Sequence, residues 1–197
     1  MHIFLQGKSG VGKSTVLRQV FTPYSPVTVG FSVQRLTENG KRVGFRAATL
    51  ENGFPPPEAE YHSGMDGVFI LHRKWDFTPL EKVILCVKKQ IASPGAKIVL
   101  LDEIGGIELT SSVFMDALEG ILIGGLVCFG VFKSRENLLH TQSQLLLNSE
   151  YQNRHSQLET RLLSDSKIIT LTEKNHIQVL SYLEQAAAST ACLTKLT

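Results

Sequence analysis

A chain of 197 residues with 43% apolar and 19% charged residues can bury a core of its own without disulfides or structural metals. Its net charge of +2 and the lack of any Lys- and Arg-rich run exclude a protein that grips nucleic acid by charge alone. Cys86, Cys128 and Cys192 are odd in number and widely spaced. That excludes a disulfide framework or a C-x-x-C zinc site and fits reduced thiols in the cytoplasm.

The chain opens Met1-His2-Ile3-Phe4-Leu5-Gln6, with no basic region and no long apolar stretch, so no signal peptide is expected. No run of about 18 apolar residues is uninterrupted, so no membrane span is expected either. Residues 2–6 predict a buried strand that runs straight into glycines. A first helix is predicted over Ser14–Phe21, ended by Pro23 and Pro26. Two β-rich runs, 27–36 and 41–50, flank Asn39-Gly40, the strongest short hairpin signal, and predict a hairpin at one edge of the sheet. Residues 51–66, with Pro55-Pro56-Pro57, read as a long loop. A strand over Gly67–Leu71 follows. Thr78-Pro79-Leu80-Glu81 then carries three helix-start signals, with Thr78 as the cap.

Lys97–Leu101 predicts an apolar strand that ends in Asp102-Glu103 beside the strand of residues 2–6. A helix is predicted over about 109–123, with Val113, Ala117 and Ile121 one turn apart. Gly125–Phe132 is a further strand, 135–164 a polar helical segment and Lys167–Leu171 a last strand. Thr172 is expected to cap a closing helix to about Ala187, and Ser189–Thr197 to fray. Strands alternating with helices, several of them uniformly apolar, predict one α/β domain over 1–188 with a mostly parallel sheet covered on both faces.

Gly7-Lys8-Ser9-Gly10-Val11-Gly12-Lys13-Ser14 matches G-x-x-x-x-G-K-[ST] without a mismatch. Its glycines let successive main-chain N–H groups converge on an anion. The helix that begins there adds the partial positive charge of its N-terminus. Lys13 can reach the outer phosphates of a nucleoside triphosphate, and the Ser14 hydroxyl can ligate Mg²⁺. Asp102 is the second expected Mg²⁺ holder, through a water, and Glu103 is placed to orient or deprotonate an attacking water. Asp102-Glu103-Ile104-Gly105 also spells the D-x-x-G of switch GTPases, but no guanine-reading N-K-x-D is present, so low base selectivity is expected.

These motifs, with the segment between them, resemble the small nucleoside-triphosphatase family first described in thermophilic bacteria, which has a human cancer-related member. Three stretches carry the resemblance. They are Gly7–Thr15, Gly30-Phe31-Ser32-Val33-Gln34-Arg35 through Asn39–Phe45, and Leu101–Leu109, similar to the family's D-E-I-G-K-M-E-L. Near the end, Thr172-Glu173-Lys174-Asn175 is similar to a T-x-E-N-R element. The resemblance implies a RecA-like P-loop fold and Mg²⁺-dependent hydrolysis of several triphosphates, ATP and GTP among them. It places phosphate binding on Gly7–Ser14, with Thr15 adjoining, and a nucleotide-facing stretch on about Ile98–Gly105, including Ile104 and Gly105. The chain departs from the pattern at Ser32 and Gln34, at Gly106, where the family has Lys, and at His176, where it has Arg.

Arg35, Arg42, Arg135 and Arg154 are the candidates for an arginine that stabilises transition-state charge. His62, His72 and Trp75 flank the proline loop, where they could stack on a base or simply pack. Two other functions stay open. One is a nucleoside or nucleotide kinase, although 135–164 holds only Arg135, Arg154 and Arg161 of an arginine-rich lid. The other is a non-catalytic ATP-binding module that docks a protein partner on 133–165. A monomer in the cytoplasm is expected.

Overall fold

In the computed structural model, which describes residues 1–145 and 149–193, β1 (His2–Gln6) passes through the glycine turn into α1 (Lys13–Phe21). Prolines 23 and 26 cannot continue an α-helix, and Thr22–Val27 winds as a 3₁₀ turn. β2 (Thr28–Glu38) and β3 (Lys41–Thr49) run antiparallel around Asn39-Gly40, whose φ angles of 50° and 72° give the turn that matches strand twist. The expected loop contains β4 (Glu58–Glu60), paired in parallel with the outer half of β2. β5 (Val68–Leu71), β6 (Lys74–Trp75) and α2 (Thr78–Ile91) follow. Then come β7 (Ile98–Ile104), α3 (Ser112–Leu122), β8 (Val127–Phe132) and α4 (Arg135–Leu145). α5 (Ser149–Asp165), β9 (Ser166–Thr170) and α6 (His176–Leu193) close the order.

The strands form one sheet in the order β6-β5-β3-β2-β7-β8-β1-β9, with β4 branching from β2. β2, β7, β8, β1 and β9 are mutually parallel. Two expectations change here. The hairpin is not the edge, because the first half of β2 is built into the parallel sheet against β7 and β3 is followed outward by β5 and β6. The strand bearing Asp102 does not lie beside β1, because β8 is inserted between them.

Side chains alternate across each strand. Ile3, Leu5, Leu100 and Val131 pack under α1 and α6, and Phe4, Val99, Leu101 and Cys128 pack under α2, α3 and α5. Burial on both faces is why these strands read as unbroken apolar runs.

Several helix details also differ from expectation. Thr78 lies inside α2, and the Asp76 carboxylate caps it by accepting the Thr78 N–H at 2.9 Å. α3 starts from Ser111, whose hydroxyl accepts the Phe114 N–H at 3.1 Å. It buries Phe114, Ala117, Leu118 and Ile121 and leaves Val113 41% exposed. Within the polar segment, α5 buries Tyr151, His155, Leu158 and Leu162. α6 continues through Ser189 to Leu193 rather than fraying. Lys97 Nζ donates to the Ala191 carbonyl at 3.1 Å and ties that end to the sheet. Residues 194–197 of the expected tail lie outside the described residues. Among the described residues all three cysteines are free thiols, and no helix is long and apolar enough to cross a membrane.

Candidate active site

Register places the chemistry at the carboxyl ends of the parallel strands. Leu5 pairs with Val131, Val131 with Asp102 and Asp102 with Ser32, so one row crosses the sheet from β1 to β2. The glycine turn leaves β1 at the end of this row and rises into α1. Gly12 caps α1 at φ 95°, a left-handed conformation that side chains disfavour. Ser14, in the first turn of α1, then donates its hydroxyl to Asp102 Oδ1 at 2.9 Å, across the intervening β8. Ser32 donates to Asp102 Oδ2 at 3.3 Å.

Asp102 is 4% exposed. Burial pushes its carboxyl up to about 6 and the nearby Glu103 charge adds to this, while the Ser14 and Ser32 hydroxyls oppose it. Lys13 is buried and folds over the loop, donating to the Gly7 carbonyl at 2.9 Å and the Lys8 carbonyl at 2.8 Å. Desolvation holds its ammonium below the usual lysine range, and Glu103 and Asp102 pull the other way. Neighbouring strand residues normally point to opposite faces. Here the pairing shifts between Asp102 and Ile104, so Glu103 is an extra residue in β7. Such a bulge re-aims a side chain, and both carboxylates line the same cleft.

That cleft has a volume of about 600 Å³. Ser9, Gly10, Gly12, Lys13, Ser14 and Thr15 line it. Gly7 lies behind it, where the Asn137 amide donates to its carbonyl at 3.0 Å, and the Val11 side chain packs on the core. Ile104 and Gly105 do not face it. Ile104 is fully buried in the core, and Gly105 is wedged against Phe132 and Lys133, so Gly106, Ile107 and Glu108 take their place in the lining. Of the four arginine candidates, Arg35 and Arg42 line the cleft. Arg154 is held by the Leu109 carbonyl and Glu150, and Arg135, exposed at the start of α4, is not among the lining residues. His62, His72 and Trp75 are not lining residues either; His72 lies 3.9 Å from Glu38. His176 is not a lining residue; its Nε2 lies 3.4 Å from where a Cβ on Gly12 would be.

Sequence reading missed Lys133, whose ammonium lies 3.3 Å from Glu103 and donates to Thr141 at 3.3 Å. Its backbone is fixed by the buried His155, whose Nε2–H donates to the Lys133 carbonyl at 2.7 Å while the ring stacks on Phe132. The signal was a lysine directly after an apolar strand that ends level with the glycine turn.

A hydroxyl and a carboxylate in contact, both able to be hard oxygen donors, fit a small divalent cation. Among the described residues no three acidic, His or Cys side chains gather to hold a metal by themselves. The pair therefore suits Mg²⁺ that arrives with phosphate oxygens completing its shell.

A parallel sheet with a glycine-rich phosphate turn at the end of β1 and an acidic pair at the end of β7 defines an α/β P-loop NTPase fold. Residues 2–183 match the model of a protein family described as NTPase, and the chain belongs to that family. It is 26% identical over 194 residues to the cancer-related nucleoside-triphosphatase of Homo sapiens, covering 91% of this chain and 92% of that one. It is 31% identical over 140 residues to the Bos taurus homolog, covering 66% and 73%. Among solved structures, THEP1 from the hyperthermophile Aquifex aeolicus superposes with a TM-score of 0.60 at 19% identity, covering 94% of this chain and 98% of that one. At that identity the likeness speaks to the fold.

Proposed function

We propose that the protein hydrolyses Mg²⁺-bound nucleoside triphosphates, with little choice of base, to the diphosphate and inorganic phosphate. The observation that carries this reading is the Ser14–Asp102 contact of 2.9 Å at the head of α1, with Glu103 turned into the same cleft. Main-chain amides of the glycine turn and the N-terminus of α1 hold the phosphates, and Lys13 adds a fixed positive charge. Ser14 and Asp102 would hold magnesium, which would supply charge neutralisation at the terminal phosphoryl group.

Glu103 holds a water opposite the leaving diphosphate. The water oxygen bonds to the γ-phosphorus, the bond from that phosphorus to the β–γ bridging oxygen breaks, and Glu103 receives the water's proton. Lys133, on Glu103, keeps that carboxylate in place. Low base selectivity is supported by the lack of an N-K-x-D motif in the chain.

Phosphate release from ATP, GTP, CTP and UTP, with Mg²⁺ and with chelator, tests this reading. Expected are rates within about tenfold of one another, none in chelator, and a loss on the order of 10²-fold or more in Glu103→Gln with triphosphate binding retained. Hydrolysis by Glu103→Gln at the wild-type rate would remove the water-activating role.

A further inference from the structure

β8 lies between β1 and β7 in the sheet, so the residue just past its end stands between the glycine turn and Glu103. That residue is Lys133. Its N–H donates to the Ile104 carbonyl at 2.9 Å, one bond beyond the β7–β8 pairing, and fixes its backbone beside the bulge. Two glycines then leave a path for the side chain. A Cβ on Gly105 would stand 3.2 Å from Lys133 Cβ, and one on Gly106 would stand 3.4 Å from Lys133 Cε. The stem runs across this bare backbone and brings the ammonium into the cleft.

The ammonium is anchored from two sides. It lies 3.3 Å from Glu103 Oε1 and donates to Thr141 Oγ1 at 3.3 Å. The Thr141 hydroxyl donates to the Asn137 carbonyl at 3.0 Å, and the Asn137 amide donates to the Gly7 carbonyl at 3.0 Å. Lys133 is thus tied through α4 to the glycine turn as well as to β7. A lysine ammonium carries three hydrogens. Among the described residues Glu103 and Thr141 are its only polar partners, so one hydrogen remains for a group in the cleft.

Charge points the same way. Burial is the main reason the Lys13 ammonium is held low, the two carboxylates oppose it, and the Lys133 charge adds to it. Two ammoniums that disfavour one another gain when an anion comes between them. The two lining arginines singled out from the sequence are engaged elsewhere: Arg35 pairs with Glu58 at 3.2 Å, and Arg42 lies over the Phe45 ring at 5.6 Å.

We propose that Lys133 is a specificity-determining residue: it contacts the terminal phosphoryl group and makes the site prefer a nucleoside triphosphate to a diphosphate. This rests on the triphosphate-binding reading above. With the triphosphate bound, the ammonium is shared between Glu103 and a γ-phosphoryl oxygen. With the diphosphate it falls back on Glu103. What it gains on the phosphate it partly loses on Glu103, so its contribution to binding shows fully only where residue 103 carries no charge.

The test is calorimetric titration of the full chain, in Mg²⁺, with ADP and with the non-hydrolysable β,γ-imido analogue of ATP. The readout is the ratio of the two dissociation constants. Both come from one preparation, so the ratio is indifferent to the fraction folded. Glu103→Gln should bind the imido triphosphate more tightly than ADP. Adding Lys133→Met to that protein should cut the preference at least about tenfold, the scale of one hydrogen bond to a charged group. Lys133→Met alone should cut it less. A lysine that only positions Glu103 has nothing left to position in Glu103→Gln, so a smaller drop there would overturn the contact. Equal drops with and without the Glu103 charge would overturn the sharing. A wild-type chain that binds neither nucleotide would overturn the triphosphate-binding reading itself.

Discussion

Asp102→Asn should make the nucleotide-free protein more stable while destroying its response to nucleotide. The carboxyl is 4% exposed and moves from an ordinary 3.8 to about 6. At neutral pH the buried carboxylate therefore sits about 3 kcal/mol above its level in water, at one unit of pKa per about 1.4 kcal/mol. Asparagine has the same shape, can accept from Ser14 as Asp102 Oδ1 does, and carries no charge to desolvate. About 3 kcal/mol is a ceiling, because the attraction to Lys13 and the stronger hydrogen bonds to a charged acceptor are lost too. A gain of about 1–3 kcal/mol corresponds to a rise in Tm of roughly 3–8 °C for a chain of this size.

The assay is thermal unfolding in chelator at pH 7.5 and pH 5, repeated with Mg·ATP at pH 7.5. A carboxyl whose folded value is raised binds more protons in the folded state, so stability falls as pH rises from 3.8 to about 6 and is level above that. The variant's advantage should accordingly be full at pH 7.5 and about halved at pH 5. Mg·ATP should raise the wild-type Tm and leave the variant's unchanged. A folded Asp102→Asn protein that melts below wild type in chelator at pH 7.5 would refute the view that this carboxylate is held at a cost to the fold.

The same geometry gives three further expected outcomes. Gly30→Ala would set a Cβ 1.9 Å from the Leu100 carbonyl at φ 142°. It should force β2 off β7 and cost several kcal/mol, on the order of 4 or more, in urea unfolding. Lys133→Met removes the cation 3.3 Å from Glu103 and should lower kcat by about 10–10²-fold. KM for ATP should change little, and steady-state phosphate release at saturating ATP checks both. His155 is held neutral by burial, below the ordinary imidazole value of 6.5, so its contribution is complete above 6.5 and lost as pH falls through its folded value. His155→Phe keeps the ring against Phe132 and forfeits the bond to the Lys133 carbonyl, so it should melt below wild type at pH 7.5. That deficit should narrow by pH 5.5, and a deficit that widens would reverse the assignment.

The features legible in the sequence were those in which one residue type answers one local demand. The glycine turn, Asn39-Gly40 and the Asp102-Glu103 pair are of this kind, because each is required by backbone geometry or charge at its own position. Asp76 shows how narrow that legibility is. A Thr-Pro-x-Glu signal pointed to Thr78 as the cap, yet Thr78 is the first residue of α2 and its own N–H is taken by a carboxylate two residues earlier. α5 shows a different failure. Tyr151, His155, Leu158 and Leu162 recur at helical spacing and are buried, but polar neighbours hid the stripe in an averaged reading of the segment. The extension of α6 to Leu193 depends on a lysine just before β7, Lys97, reaching Ala191, a contact no local pattern encodes.

Strand order was the least accessible feature. Val99, Leu101, Phe129 and Val131 are all fully buried aliphatic or aromatic residues, and a strand apolar on both faces carries no label saying which neighbour it takes. Yet that order decides the chemistry. With β8 between β1 and β7, Asp102 meets Ser14 not by adjacency but because the turn and α1 lean back over the sheet edge. The row Leu5–Val131–Asp102–Ser32 then sets both hydroxyls on one carboxylate. β8 contributes through the residue just past its end, since Lys133 emerges next to Phe132 and reaches Glu103, the extra residue in β7. A strand that looked like core filler thus delivers the cation that sits on the acidic pair. The inserted strand and the β7 bulge act as one device, which spaces two carboxylates and a lysine at the end of the cleft where the proposed reaction puts the terminal phosphoryl group.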